Sequence, residues 1–252
     1  VEKIINPQNW SELSKQFLNS EPYNYVVIDN FFNEEFVIGV SQDIPDYERI
    51  VVNYDNSIEK KKLCDRWHTF PKSIYTATFS LVCTKFVGYM RELTQQPSLE
   101  ADYGLHGGGI HMHKPKSYLN VHLDYDIHPK VPVKRKLNLI VYLTPNWEEN
   151  WNGGLEMWSH DPVNNQPKEC IKKITPFFNR AVIFDTTQNS WHGVGVSDPI
   201  NSPDGINRKS LAIYYVLPSD ISTGRNRALF TPRPDQRGDE SVLDLIEQRI
   251  IL

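Results

Sequence analysis

The run Lys136-Leu137-Asn138-Leu139-Ile140-Val141-Tyr142-Leu143-Thr144, closed by Pro145, restricts the fold more than any other stretch of the chain. Its density of branched and aromatic side chains, with a stop signal behind them, predicts a mostly buried strand. It is not isolated. Gly153-Gly154 turns the chain into Leu155-Glu156-Met157-Trp158, and Arg180–Thr186 leads within a few residues to Trp191-His192-Gly193-Val194. Ser210–Leu217 is a further run of the same kind, ending at Pro218. Short strands punctuated by glycine and proline predict one all-β core.

That core places a small set of polar residues. In His122-Leu123-Asp124, strand alternation points the imidazole and the carboxylate at one spot. His192, carried by another strand, would complete a three-ligand face. Two histidines and one carboxylate on one face of an octahedron, with the opposite face open, suit non-haem Fe(II) oxygen chemistry. A histidine and an aspartate two residues apart also occur by chance, so the pair takes its weight from its surroundings.

Those surroundings are four blocks: GGGIHMHKPKSYLNVHLDYDIHP, RKLNLIVYLTPNWEENWNGGLEMW, NRAVIFDTTQNSWHGV and NRKSLAIYYVLP. In this order, from Gly107 to Pro218, they resemble the Fe(II)/2-oxoglutarate-dependent oxygenases, in the branch that includes the prolyl hydroxylases and nearest its bacterial and phage members. The resemblance implies a mainly β fold with flanking helices around a double-stranded β-helix, the cupin-like jelly roll. It implies Fe(II) on His122, Asp124 and His192, with 2-oxoglutarate as cosubstrate, O2 in the remaining position and ascorbate as an accessory reductant. The far carboxylate of 2-oxoglutarate needs a cation, and arginine offers a planar fork that lysine lacks. Arg208 with Ser210 two residues on matches the family's RxS pair, whereas Lys209 points the other way. Tyr142 matches a tyrosine that contacts the same carboxylate, and Asn138 shares its strand face with Ile140.

The implied reaction is hydroxylation of an unactivated C–H bond, with a prolyl or proline-like group among the substrates, and release of succinate and CO2. The alternative is a non-catalytic metal- and 2-oxoglutarate-binding sensor or interaction module. Retention of both histidines, Asp124 and Arg208 argues against it, and Asp124 argues against a halogenase. Substrate contacts are expected from Tyr118 and Asn120, which alternation puts on the face of His122, and from Arg135 and His113, which flank that strand. For His111 and His113 a surface or hydrogen-bonded structural role competes. Trp147, Trp151 and Trp158 suit a substrate-facing rim or plain packing equally well. A small molecule and a peptide both remain open as substrate.

The 252 residues read as a single domain, with 1–100 as N-terminal support, 105–218 as core and 219–252 as a C-terminal extension. Trp10, Leu13, Phe17 and Leu18 have helical spacing, Tyr23–Asp29 reads as a strand, and a second helix starts in Phe31–Phe36. Ile74–Leu93 reads as one long helix, and a terminal helix is capped by Asp239 or Ser241. That last helix has two possible seats, the core or a second subunit. A net charge of −4 gives no footprint for nucleic acid, and no such partner is expected. The three cysteines form no CxxC pair and read as free thiols. No apolar run approaches the roughly 18 residues of a membrane span, and the opening residues lack a secretory apolar region. A cytoplasmic protein is expected. Gly107-Gly108-Gly109 lacks the ending of a phosphate-binding loop and reads as a strand entry.

Overall fold

The computed structural model describes residues 1–50, 52–218 and 223–251. Helix α1 (Trp10–Leu18) is capped by the Asn9 side chain, which accepts from the Glu12 amide. Strand β1 (Tyr25–Ile28) and helix α2 (Glu34–Asp43) follow, the latter capped by Asn33. Strands β2 (Val52–Asp55) and β3 (Lys60–Cys64) form a hairpin that sequence reasoning passes over, because three lysines hide its pattern. The single helix expected over Ile74–Leu93 is two, α3 (Lys72–Val82) and α4 (Thr84–Thr94). Cys83 divides them with an extended ψ of 154°, closing the first helix and opening the second, so that each turns its own apolar face to the core.

The remaining elements are β4 (Glu100–Ala101), β5 (Gly109–His113), β6 (Leu119–Leu123), β7 (Val133–Tyr142), β8 (Leu155–Asp161), β9 (Gln166–Ile174), β10 (Ala181–Asp185), β11 (Trp191–Val194), β12 (Arg208–Pro218), β13 (Leu229–Phe230) and α5 (Glu240–Ile251). The larger sheet runs β1-β10-β7-β12-β5-β3-β2, with β4 also paired to β12. The smaller runs β13-β6-β11-β8-β9. All named pairings are antiparallel, and the two sheets enclose a cavity, as a jelly roll does.

Alternation divides the labour of the two central strands. On β7, Leu137, Leu139 and Val141 are buried in the same apolar cluster as Phe17, Leu81 and Phe86 of the helices, while Asn138 and Ile140 face the cavity. On β12, Leu211, Ile213 and Tyr215 join that cluster, while Arg208, Ser210, Ala212 and Tyr214 line the cavity. The Tyr215 hydroxyl donates to the Leu81 carbonyl at 2.7 Å and ties sheet to helix. The terminal helix takes its seat on the core: Val242 and Ile246 pack with Ile58, Leu119 and Phe230, and the Asp239 carboxylate accepts from the amides of Ser241 and Val242.

Candidate metal and cosubstrate site

His122 and His192 stand directly opposite each other across the β6–β11 pair, and Asp124 lies just past the end of β6. One ligand atom from each of these three residues lies within 4.8 Å of the others, and all three residues are buried. Asp124 Oδ1 is 3.5 Å from His122 Nε2, and Oδ2 is 4.0 Å from His192 Nε2. Each ring is held by its other nitrogen. His122 Nδ1 is 2.9 Å from the Asn120 carbonyl, and His192 Nδ1 is 2.8 Å from the Ser190 carbonyl. A carbonyl only accepts, so both Nδ1 atoms carry the proton and both Nε2 lone pairs face the gap. Burial, reinforced by His122, pushes the His192 imidazole down to about 4, leaving it neutral near pH 7. For Asp124 burial acts upward, but His122, His192 and Arg135 outweigh it and hold the carboxyl below its usual range. Aromatic rings wall the ligands: Phe230 stacks on His122 at 4.9 Å and Phe184 meets His192 edge-on at 5.0 Å. Two imidazoles whose Nε2 atoms face a gap, with a carboxylate on the same side, fit Fe(II).

Of the residues expected to hold 2-oxoglutarate, Arg208, Ser210 and Asn138 line the same cavity, which measures about 160 Å³, and Tyr142 lies beside Arg208. Ser210 pairs with Tyr142 on one side and His111 on the other, and Arg208 pairs with His113. Arg208 is 2% exposed; its Nε donates to the Gly153 carbonyl at 2.8 Å, and its guanidinium lies 4.9 Å from the centre of the Tyr142 ring. Arg208 Nη2, Tyr142 Oη, Asn138 Oδ1 and both ring nitrogens of His113 are buried without a hydrogen-bond partner among the described residues. Orphaned polar atoms are costly, and those of Arg208, Tyr142 and His113, which neighbour one another, fit a polar, anionic guest, whereas Asn138 pairs with Tyr214 nearer the metal ligands. Burial, then the Arg208 charge, lowers the His113 pKa, so this imidazole is neutral and able to donate.

The substrate candidates divide. Arg135 lines the cavity, and His113 lines it at the Arg208 end. Tyr118 and Asn120 are not among its lining residues. The Tyr118 hydroxyl donates to the Asn56 carbonyl, and Asn120 bonds Thr231, Gln236 and Arg233 of the C-terminal segment. The cause is a bulge. Partners step from His192 to Val194 on β11 but from His122 to Leu119 on β6, so Leu119 and not Asn120 shares the cavity side with His122. A second bulge opposite Tyr215 and Val216 adds Lys136 to β7. Without it alternation from Asn138 would aim Lys136 inward; with it Arg135 takes that place and Lys136 bonds Asp185. The tryptophans pack or bond elsewhere: Trp147 buries beside Ile200 and meets Trp151 edge-on, and Trp158 donates to Glu156.

Other lining residues escape sequence reasoning. Glu59, Lys61 and Leu63 come from the β3 side, and Phe230 and Arg249 from the tail. Glu59 is 2% exposed and paired to Lys61 and Arg249. Only Tyr214 had a signal, because it continues the alternate row of Arg208, Ser210 and Ala212. The cavity opens into a vestibule of about 480 Å³ whose walls include Tyr54, His106, Tyr125, Phe230, Gln248 and Arg249. The glycines of the strand entry admit close approaches: a Cβ on Gly109, at φ +80°, would lie 2.1 Å from the Cys64 carbonyl oxygen. The three cysteines are free and half-buried, and among the described residues no helix is long and apolar enough to cross a membrane.

Comparison with known proteins agrees with this geometry. A curated relative, prolyl 3-hydroxylase OGFOD1 of Mus musculus, is 33% identical over 60 residues, which is 24% of this chain and 11% of that protein. Its Xenopus laevis counterpart is equally similar over 12% of its length, so the chain spans only a small part of either relative. Among solved structures, a Pseudomonas putida prolyl-4-hydroxylase superposes with a TM-score of 0.53 at 15% identity, covering 82% of this chain and 97% of that one. A Trichoplax adhaerens prolyl hydroxylase in complex with a hypoxia-inducible-factor peptide gives 0.54 at 16%, covering 83% and 94%. These likenesses show a shared fold. Residues 108–216 match the 2OG-Fe(II) oxygenase superfamily, and this stretch carries His122, Asp124 and His192.

Proposed function

We propose that the protein is an Fe(II)- and 2-oxoglutarate-dependent dioxygenase that hydroxylates an unactivated C–H bond and releases succinate and CO2. One observation carries this reading: His122, Asp124 and His192 share a cavity with Arg208, a buried arginine that has an unpartnered Nη2. Iron with its cosubstrate, when bound, supplies the oxidising power. The chain supplies placement. His122, Asp124 and His192 are the metal ligands, and the bonds at each Nδ1 keep both Nε2 atoms ready. Arg208, with Ser210 and Tyr142, receives the far carboxylate of 2-oxoglutarate, His113 adds a neutral donor beside it, and Asn138 lines the cavity toward the metal ligands. Phe184, Phe230 and the enclosing strands keep water from the reacting atoms. No side chain is needed as nucleophile or general base.

The complete donor set favours a catalyst over a sensor module. For the substrate we place a peptidyl or small-molecule group in the vestibule, with a prolyl or proline-like ring first. The aromatic rim of Tyr54, Tyr125 and Phe230 suits such a ring, and the peptide bound to the Trichoplax neighbour supports a peptidyl guest. Arg135 is the remaining substrate-side candidate of the cavity. The reading includes ascorbate as an accessory reductant, a cytoplasmic setting consistent with free thiols, residues 1–252 acting as one domain, and no nucleic-acid partner. Anaerobic addition of Fe(II) and 2-oxoglutarate should give a weak visible charge-transfer band that Asp124→Ala abolishes. A band that survives the substitution overturns the ligand assignment. Succinate formation over a panel of proline-containing peptides and small molecules then identifies the substrate.

A further inference from the structure

Arg135 occupies a place in the cavity that unbroken strand alternation would give to Lys136. It is 2% exposed, yet among the described residues it forms no ion pair. Its guanidinium lies between two aromatic faces, 3.7 Å from the centre of the Tyr125 ring and 3.6 Å from that of Tyr214. Nη2 donates to the Tyr125 hydroxyl and to the His106 carbonyl, which fixes the plane of the fork. Its space depends on Gly107, at φ +72°, where a Cβ would come within 2.9 Å of Nη2. On the far side of the sandwich the Tyr214 hydroxyl donates to Asp124 Oδ2 at 3.0 Å.

We propose that Tyr214 and Arg135 are positioning residues that set the rotation of the Asp124 carboxylate toward the metal. The inference rests on the assignment of Asp124 as a ligand. A carboxylate on a short side chain turns about its last bond, and a single strong donor at one oxygen stops that turning. Tyr214 is that donor. A cation against its ring draws density from the phenol and strengthens the O–H as a donor. Arg135 has no hydrogen bond to Asp124 and acts on it through the ring between them. The β7 bulge brings this about, because it substitutes a planar, stackable cation for the lysine that regular alternation would present.

The test is anaerobic calorimetric titration of Co(II) into metal-free protein, without 2-oxoglutarate, with the visible bands of the Co(II) form recorded alongside. Outer partners of metal ligands typically contribute about 10- to 100-fold in affinity. Tyr214→Phe should therefore raise the Co(II) dissociation constant by about that factor and shift the visible bands, with thermal unfolding of the metal-free form little changed. Arg135→Lys keeps the charge but loses the stack, and should weaken binding several-fold on its own and not at all on the Tyr214→Phe background. Wild-type affinity in Tyr214→Phe overturns the proposal, and additive losses overturn the route from Arg135 through Tyr214. Should Tyr214→Phe fail to fold, wild-type affinity in Arg135→Lys is the overturning result. Asp124→Ala separates the two levels: if it binds Co(II) as tightly as wild type, the ligand assignment falls and this inference with it.

Discussion

Arg208→Met should make the protein bind 2-oxoglutarate far more weakly and, without the cosubstrate, fold more stably. The second half of that expectation comes from the site's geometry. Arg208 is 2% exposed, its Nη2 has no partner, and one neutral bond to Gly153 is all that its Nε makes. Burial pulls its pKa down, with Tyr142 in partial opposition, although an arginine keeps its proton in any case. A buried group left unsatisfied costs about 1–3 kcal/mol, and methionine fills similar space without that cost. At about 2–4 °C per kcal/mol for a chain of this size, the metal-free variant should melt higher by roughly 2–12 °C. With 2-oxoglutarate present the balance reverses. Loss of one partner of a buried, hydrogen-bonded ion pair costs about 3–5 kcal/mol, and about 1.4 kcal/mol is a factor of ten. The dissociation constant should rise by two to three and a half powers of ten, while Co(II) affinity stays put. Calorimetric titration of 2-oxoglutarate into the Co(II)-loaded protein and differential scanning of the metal-free form measure the two halves. Cosubstrate affinity within threefold of wild type would refute the assignment of Arg208, and a lower melting point would refute the claim that its charge is uncompensated.

Other expectations follow from the same cavity. Burial, with Lys61 next in effect, pushes His111 down to about 3, and burial with His122 pushes His192 down to about 4. Both are unprotonated in the folded chain where the unfolded chain, with a normal value of 6.5, has taken up protons, so stability is lost on acidification from about pH 6.5 toward 4. Urea midpoints of the metal-free protein should fall steadily across that range, and a flat profile would contradict the burial of these rings. Asn120→Ala breaks three bonds to the C-terminal segment and should cost about 1–3 kcal/mol while leaving 2-oxoglutarate affinity intact, because Asn120 is not a cavity residue. Phe230→Ala removes the ring stacked on His122; about 3–5 kcal/mol of stability should go with it, and metal affinity should drop too. Gly109→Ala would set a Cβ against the Cys64 carbonyl and should yield little folded protein in expression trials.

The strands that make the cavity were legible because they are apolar: the runs around Leu139, Ile183 and Ile213 are continuous enough to need no other signal. Alternation set His122 and Asp124 on one face, the family resemblance singled out His192 and Arg208, and the structure brings His122, Asp124, His192, Arg208, Ser210 and Asn138 to one cavity, with Tyr142 beside Arg208. Alternation failed where a strand carries an extra residue. One bulge moved Asn120 out of the cavity and another brought Arg135 in, and neither leaves a mark in composition because a bulge is a matter of pairing with a distant strand. Strands β3 and β9 were missed because Lys60, Lys61, Lys62, Lys168, Lys172 and Lys173 stand among few apolar partners, and β2 because it is only four residues long with two apolar side chains. Phe230 and Arg249 reach the site from more than a hundred residues beyond His122, a distance over which local pattern carries no information.

The borders of the family match do not coincide with the borders of the cavity. A fragment cut at residues 108 and 216 would keep every metal ligand and still be an incomplete object. It would leave the outer edge of β10 bare where β1 had paired with it, and the outer edge of β5 bare where β3 had. It would strip the ring from His122, and the helices from the apolar side of β7 and β12. Together with the edge of β6 that β13 had covered, these bare edges and a naked hydrophobic face make a recipe for aggregation. For this chain the smallest piece worth expressing is set by what covers the sheets, and that runs from α1 to α5.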